Sequence, residues 1–150
     1  MRAALRTAAL AAGALLLALQ LVPYGRDHSN PPVTQDAPWP TAEGRRLAVS
    51  ACYGCHSNET KWPIYSQIAP ISWWVQHDVE EGRQELNFST GHFDAGEAAD
   101  AVERGFMPPR EYTLLHPDAR LSAAQKAALI QELQAMGAGR GGSGSNRGRG

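Results

Sequence analysis

The sequence has few cysteines, and both lie within a stretch of four residues. Cys52 and Cys55 are the only two in 150 residues, so no further cysteine completes the four-ligand set that a structural zinc site uses. A finger-type zinc site would need two histidines at finger spacing, whereas His56 adjoins Cys55 and the next histidine is His77. A disulfide between the two cysteines would fit a thioredoxin-like motif. That fold requires strands, and no segment shows the alternation of a strand.

Acidic residues are absent from both ends of the chain. Five of the fourteen basic residues lie in the first 22 residues and in residues 139–150, so the middle keeps nine basic residues and all fifteen acidic ones. The middle of the chain therefore has a net charge of about -6, which argues against nucleic acid as its partner. It suits docking to a basic protein.

The N-terminus has the layout of an export signal, with two arginines before an apolar run. Residues 7–25, between Arg6 and Arg26, carry no charge and as a helix span about 28 Å, close to the hydrocarbon thickness of a bilayer. We predict an uncleaved signal anchor over residues 1–22, because no convincing cleavage site follows. The alternative is a cleaved signal and a protein released into the periplasm. The basic N-terminal end places the rest of the chain outside the cytoplasm.

The rest of the chain divides into a linker, a domain and a tail. Residues 23–40 are rich in proline and polar residues, which indicates an extended linker. Residues 41–138 form the predicted domain. Residues 139–150 are almost wholly glycine, serine, asparagine and arginine, which predicts a disordered, solvated tail.

Helical signals recur through the domain. Thr41 and Asp94 are predicted N-caps, and Ser122 with Gln125 has the pattern of a capping box. Gly137 is predicted to end the last helix. The predicted helices cover residues 42–51, 70–86, 93–104 and 123–136. We therefore predict an all-α domain with long loops.

Residues 52–56 read C-Y-G-C-H, the C-x-x-C-H attachment signature of c-type haem. Two thiols at this spacing reach the two vinyl groups on one edge of the porphyrin. The histidine that follows then lies under the ring, where its imidazole coordinates iron. We predict one haem c, bound covalently through Cys52 and Cys55 and ligated by His56.

An electron carrier needs a second axial ligand opposite His56. Met107 is the favoured candidate, because Pro108 and Pro109 hold it in a helix-free loop before the last helix. A thioether opposite histidine also raises the reduction potential. His77 is the alternative ligand, although its neighbouring tryptophans equally suit a histidine packed at the edge of an aromatic cluster.

The residues around the motif extend the match well beyond five positions. C-Y-G-C-H-S-N-E-T-K-W-P-I-Y at 52–65 is followed by I-A-P-I-S-W at 68–73 and L-N-F-S at 86–89. Over about residues 20–136 the chain closely resembles the bacterial haem-binding domain family of cytochrome-c-like proteins. The resemblance implies a single c-type haem, a cytochrome-c-like helical fold around it, and a place at the outer face of the cytoplasmic membrane.

Three further residues are candidate contacts of the haem propionates. Trp62, Tyr65 and Arg83 supply donors or a cation, which buried carboxylates need. Aromatic packing for Trp62 and Tyr65 and a surface charge for Arg83 are equally compatible with the sequence.

No catalytic base, nucleophile or second metal cluster is apparent, so we predict an electron carrier rather than an enzyme. Its partner would be a redox protein whose identity the sequence does not define. Two alternatives stay open: a haem sensor of small ligands, with a free or weakly held sixth position, and the haem module of a redox enzyme complex.

Overall fold

The computed structural model describes residues 1–141, and their regular structure is helical. No strand occurs within these residues, which contain only two isolated β-bridges. The all-α prediction and the apolar N-terminal helix are confirmed. Residues 1–141 form seven α-helices: α1 (Arg2–Leu19), α2 (Ala42–Ala51), α3 (Tyr53–His56), α4 (Ile71–Glu85), α5 (Ala95–Glu103), α6 (Arg110–Leu115) and α7 (Ala123–Gly141). Two 3-10 turns in the same range cover Ile64–Gln67 and Pro117–Ala119.

Helix α1 packs against no other helix of the described residues. None of its residues is buried, and its length and apolar composition are sufficient to cross a membrane.

The predicted caps begin the helices as expected. The Thr41 side chain accepts from the N–H of Gly44 at 3.0 Å, and Asp94 accepts from two N–H groups at the start of α5. The capping box at α7 is reciprocal: Ser122 N–H donates to Gln125 at 2.9 Å, and Gln125 N–H donates to Ser122 at 3.2 Å. These bonds satisfy donors that the first turn of a helix leaves free.

The prediction that Gly137 ends the last helix is wrong, since α7 continues to Gly141. A Cβ on Gly137 would lie 3.8 Å from the backbone of Gly96, so this glycine lies where α7 packs against α5. Residues 139–141 are therefore helical, although they belong to the predicted tail. The rest of that tail, 142–150, lies outside the described residues.

The segment predicted as a linker, residues 23–40, runs along the domain without a regular helix. The N–H of Gln35 donates to the carbonyl of Ser89 at 3.0 Å. Further on, the Trp39 indole donates to the Tyr53 hydroxyl at 2.8 Å. Such contacts hold the segment against the domain, whereas its separation as a linker stays a prediction.

The core lies between α2, α5 and α7. Leu47 of α2 and Leu129 and Leu133 of α7 are almost wholly buried there. Phe88, in the loop before α5, fills the remaining space and stacks on Tyr53 with ring centroids 5.5 Å apart. The core therefore meets the C-x-x-C-H segment directly, through the residue that follows Cys52.

Glu132 joins the start of α2 to α7, and this contact yields a stability prediction. Its carboxylate accepts from the Thr41 backbone N–H at 3.0 Å and from the Thr41 hydroxyl at 2.7 Å. Glu132→Ala should lower the free energy of unfolding by about 1 kcal/mol, because a charge-assisted pair near the surface is lost. Urea denaturation measures this. Gln134→Ala, at an exposed position of the same helix, is the control; an equal loss there would contradict the assignment.

Candidate functional site

The C-x-x-C-H segment forms a helical turn directly after α2. Cys52 leaves helical geometry and ends α2, and its carbonyl accepts from the N–H groups of Cys55 at 3.2 Å and His56 at 2.9 Å. Residues three and four apart on such a turn lie on one side of it. The two thiols and the imidazole therefore start from neighbouring positions on one short helix.

The imidazole of His56 is oriented by two backbone carbonyls. Its Nδ1 lies 2.8 Å from the Gly82 oxygen and 3.3 Å from the Leu86 oxygen. Because a carbonyl only accepts, Nδ1 carries the proton and Nε2 keeps its lone pair. Burial lowers the pKa of His56, which favours this neutral form. His56 is thus held as a metal ligand is, with the second nitrogen fixed by a backbone acceptor.

A buried network of hydrogen bonds connects the residues after His56 to the loop before α5. The Asn87 amide donates to the Asn58 side-chain oxygen at 2.9 Å, and the Asn58 N–H donates to the Ser89 hydroxyl at 3.0 Å. Between them, the N–H of Phe88 donates to the His56 carbonyl at 2.9 Å. No local sequence pattern predicts a role for these side chains. Their full burial requires partners, and pairing them with one another fixes the position of His56.

A cavity of about 260 Å³ adjoins this turn. Cys52, His56 and Met107 all line it, so the structure brings three of the predicted haem-binding residues to one space. Its other lining residues are mostly apolar, with acidic residues among them: Leu86, Phe88, Ala98, Ala101, Val102 and Leu133, and Glu85, Asp94 and Glu97.

Cys55 does not line the cavity. It lies against α4, where a Cβ on Gly82 would be 2.9 Å from the Cys55 Cβ. Burial raises the pKa of Cys55 to about 11 and that of Cys52 to about 12. Both side chains are therefore neutral thiols near pH 7 in the unmodified chain.

Met107 enters the cavity from the loop between α5 and α6. The N–H groups of Phe106 and Met107 both donate to the Ala101 carbonyl, at 3.0 and 3.1 Å, which folds the loop back onto the end of α5. The prediction of a non-helical loop is confirmed. Since Met107 also packs against the core, its thioether is held rather than free in solvent.

His77, the alternative ligand, lies on the surface. Its side chain is 55% exposed and pairs with Glu81 at 3.4 Å, one turn along α4. It is not among the residues that line the cavity. The geometry therefore favours Met107 over His77.

The three residues predicted to contact the haem propionates do not line the cavity. They are Trp62, Tyr65 and Arg83. The Trp62 indole stacks on His28 with ring centroids 4.6 Å apart, and its buried Nε1 has no hydrogen-bond partner among the described residues. Such a buried donor is suited to an incoming carboxylate. The Arg83 guanidinium is engaged, since it donates to the Ser57 carbonyl at 2.9 Å and to Asn30 at 2.7 Å. Propionate contacts for Trp62 and Arg83 stay predictions.

Tyr65, the third, belongs to a cluster with Tyr112 and His116 that no sequence pattern predicted. Its hydroxyl donates to His116 Nε2 at 3.2 Å, because His116 Nδ1 is used as the donor to the Tyr112 carbonyl at 3.0 Å. The Tyr112 ring stacks on His116 at 3.9 Å, and its hydroxyl abuts Gly54 inside the C-x-x-C-H turn. Tyr112 and His116 are four residues apart in the sequence, so their contact could have been predicted from a helical spacing. The contact of His116 with Tyr65 has no such local signal.

The donors present suit a haem better than a metal ion held by protein alone. Within residues 1–141, no three His, Cys, Asp or Glu side chains converge as a bare ion requires. A haem brings its own equatorial nitrogens and asks the protein only for axial ligands. His56 and Met107 line one cavity and carry an imidazole nitrogen and a thioether, two groups of the type that ligate haem iron, and Cys52 adds a thiol to the same cavity.

Gly82 provides a stability test of this packing. Gly82→Ala would place a methyl group 2.9 Å from Cys55, so α4 must move and the carbonyl that orients His56 moves with it. We expect a loss of about 1–3 kcal/mol in the free energy of unfolding, with a lower yield of haem-loaded protein. Gly137→Ala is the matched control within a helix; with no close contact it should stabilise α7 by up to about 1 kcal/mol. Equal effects at the two glycines would refute the packing argument.

Comparison with known proteins adds one finding. The family model described as a haem-binding domain matches residues 14–135, from within α1 to within α7. No curated protein and no solved structure matches the chain. The matched range contains the C-x-x-C-H turn, the buried polar network and the Met107 loop.

Proposed function

The chain belongs to the haem-binding domain family, and from this membership we propose that it is a mono-haem c-type cytochrome that transfers electrons at the periplasmic side of the cytoplasmic membrane. The observation that carries the proposal is the common cavity of Cys52, His56 and Met107. Together with Cys55 on the same turn, these residues supply two thiols, one imidazole with a free Nε2 and one thioether.

Each residue has a separate task in this proposal. Cys52 and Cys55 would hold the cofactor by thioether bonds, which would prevent its dissociation. His56 and Met107 would ligate the haem iron, and both would stay in place when its oxidation state changes. The haem would supply one-electron redox chemistry.

The surroundings of the iron ligands support an electron carrier. The carbonyls of Gly82 and Leu86 hold His56 in one orientation, and hydrogen bonds to Ala101 hold the Met107 loop. Ligands fixed in this way need no rearrangement when the charge on iron changes. We assign no catalytic residue.

The location of the protein and its partner are proposed from the N-terminal helix and from the net charge of the domain. Helix α1 is the proposed membrane anchor, and the arginines at its start favour a cytoplasmic N-terminus. The net acidic domain then lies in the periplasm and suits a basic redox protein as donor or acceptor.

A pyridine haemochrome measurement on protein purified from the membrane fraction tests the proposal. We expect one haem c per chain, retained after acid-acetone extraction and found with the membrane. Haem that extracts into acetone, or an absence of haem in protein made with the cytochrome c maturation machinery present, would contradict it.

Carbon monoxide binding separates the electron carrier from a haem sensor. With Met107 bound to iron, the reduced protein should bind carbon monoxide slowly and weakly, because the thioether must leave first. Rapid binding by the unaltered protein would favour a sensor or an enzyme module instead.

A further inference from the structure

The end of α1 is joined to the domain by a two-point contact. The side-chain amide of Gln20 donates to the Ala69 carbonyl at 3.0 Å, and its oxygen accepts from the Ala69 N–H at 3.0 Å. A single amide thereby satisfies both backbone groups of one residue. Gln20 is the first residue after α1, so Ala69 lies where the apolar helix ends.

The residues that follow Gln20 continue along α4. Gly25 has a φ of 86° and lies so close to Ser72 and Trp73 that a Cβ would come within 2.6–2.8 Å of them. Asp27 N–H donates to the Gln76 side chain at 3.2 Å. The chain that follows α1 therefore stays in close contact with the domain from Gln20 to Asp27.

Exposed apolar side chains occur in both of the segments that meet at this junction. We call them the junction patch: Leu21 (83% exposed), Ile64 (87%), Ile68 (60%), Ile71 (47%) and Trp74 (56%). Ile68 and Ile71 lie within two residues of Ala69 itself. Large apolar side chains exposed together mark a surface that another apolar phase covers.

The charge pattern identifies that phase. No Asp, Glu, Lys or Arg occurs between Lys61 and Asp78, and none occurs between Arg6 and Arg26. The two uncharged segments meet at the bond between Gln20 and Ala69. Two uncharged segments, one continuing a helix long enough to cross a membrane and the other carrying the exposed Trp74, have the composition of the membrane interface.

We propose that the junction patch lies in the interfacial layer of the bilayer that α1 spans, so that the domain rests on the membrane in one orientation. The inference depends on the proposed insertion of α1 and adds a second, separate contact with lipid. Arg26 and Lys61, both exposed, lie in the sequence next to the two uncharged segments, where cations meet anionic headgroups.

Photo-crosslinking to lipid tests the contact in the full, haem-loaded chain. A benzophenone amino acid replaces Ile68 in protein reconstituted into vesicles of phosphatidylcholine and phosphatidylglycerol. The same group at Leu15, within α1, reports insertion of the helix. At Phe106, which is 69% exposed in the loop after α5, it serves as an exposed apolar control.

We expect lipid adducts at position 68 at least about tenfold above those at position 106, because only the first lies at the interface. Adducts at position 15 without adducts at 68 would overturn the junction contact and leave the anchor intact. An absence of adducts at both positions would overturn the anchor as well. Adducts from position 68 to a second protein chain would show that the patch is a dimer interface.

Gln20→Ala tests whether the two-point contact sets the orientation. Loss of both hydrogen bonds to Ala69 should lower the adduct yield at position 68 severalfold, while adducts at position 15 remain. Gln67→Ala, which removes a hydrogen bond to His28 at 2.8 Å but leaves Gln20 unchanged, is the matched control. An unchanged yield in Gln20→Ala would refute a fixed orientation.

Discussion

The double replacement Cys52→Ser and Cys55→Ser should abolish covalent haem. A serine hydroxyl keeps nearly the size of the thiol but forms no thioether bond to a vinyl group. Cys52 lies in the cavity wall and Cys55 follows on the same helical turn. Haem-dependent peroxidase staining after denaturing electrophoresis measures the result, which should fall from full signal to background.

Each single replacement should cause a smaller loss of covalent haem than the double replacement. Cys52→Ser and Cys55→Ser each leave one thiol, so reduced amounts of singly attached haem are expected. Ser50→Ala, in the last turn of α2, changes a neighbouring small side chain and leaves both thiols, so its staining should equal that of the unaltered protein. Covalent haem in the double variant would disprove attachment through this motif.

Met107→Leu should change the electronic properties of the haem most strongly among axial-ligand variants that keep the cofactor bound. Leucine has a similar volume but no sulfur, so the sixth position is left to water or remains open. Because axial ligands set haem potentials over a range of about 0.8 V, loss of the thioether should lower the potential by on the order of 0.1 V or more. The charge-transfer band between methionine and ferric iron should disappear, and carbon monoxide should bind rapidly to the reduced protein.

Two control variants make this result specific. Met136→Leu changes a buried methionine of α7 that packs in the core, so it should keep the band and the potential. His77→Ala removes the alternative ligand, which is exposed and paired with Glu81, and should also leave both unchanged. A band that survives in Met107→Leu and vanishes in His77→Ala would reverse the ligand assignment.

Helix positions were predictable because their signals are local. The caps at Thr41, Asp94 and Ser122 act within three residues of their partners, and a short window of sequence contains both members of each pair. The prolines after Met107 are equally local, since they prevent a helix where they stand.

Other features depend on partners that are distant in the chain. Gly137 has the local signal of a helix end, yet its place against α5 lets α7 continue to Gly141. Helix α6 was not predicted, because six residues are too few to show a periodic pattern. The contact of Gln20 with Ala69 crosses 49 positions, which no local pattern reports.

The prediction of haem chemistry comes from the sequence alone, because C-Y-G-C-H specifies two thiols and an imidazole at fixed spacing. The apolar run after Arg6 likewise predicted the N-terminal helix, which ends at Leu19 in the structure. Covalent spacing is a property of the chain, so it can be recognised without a fold. Only the tertiary structure brought Met107 and His56 to one cavity and placed His77 outside it. It also placed the carbonyls of Gly82 and Leu86 against Nδ1 of His56, which fixes the tautomer of the imidazole. Those contacts join residues 26 to about 50 positions apart, and packing of the whole domain decides them.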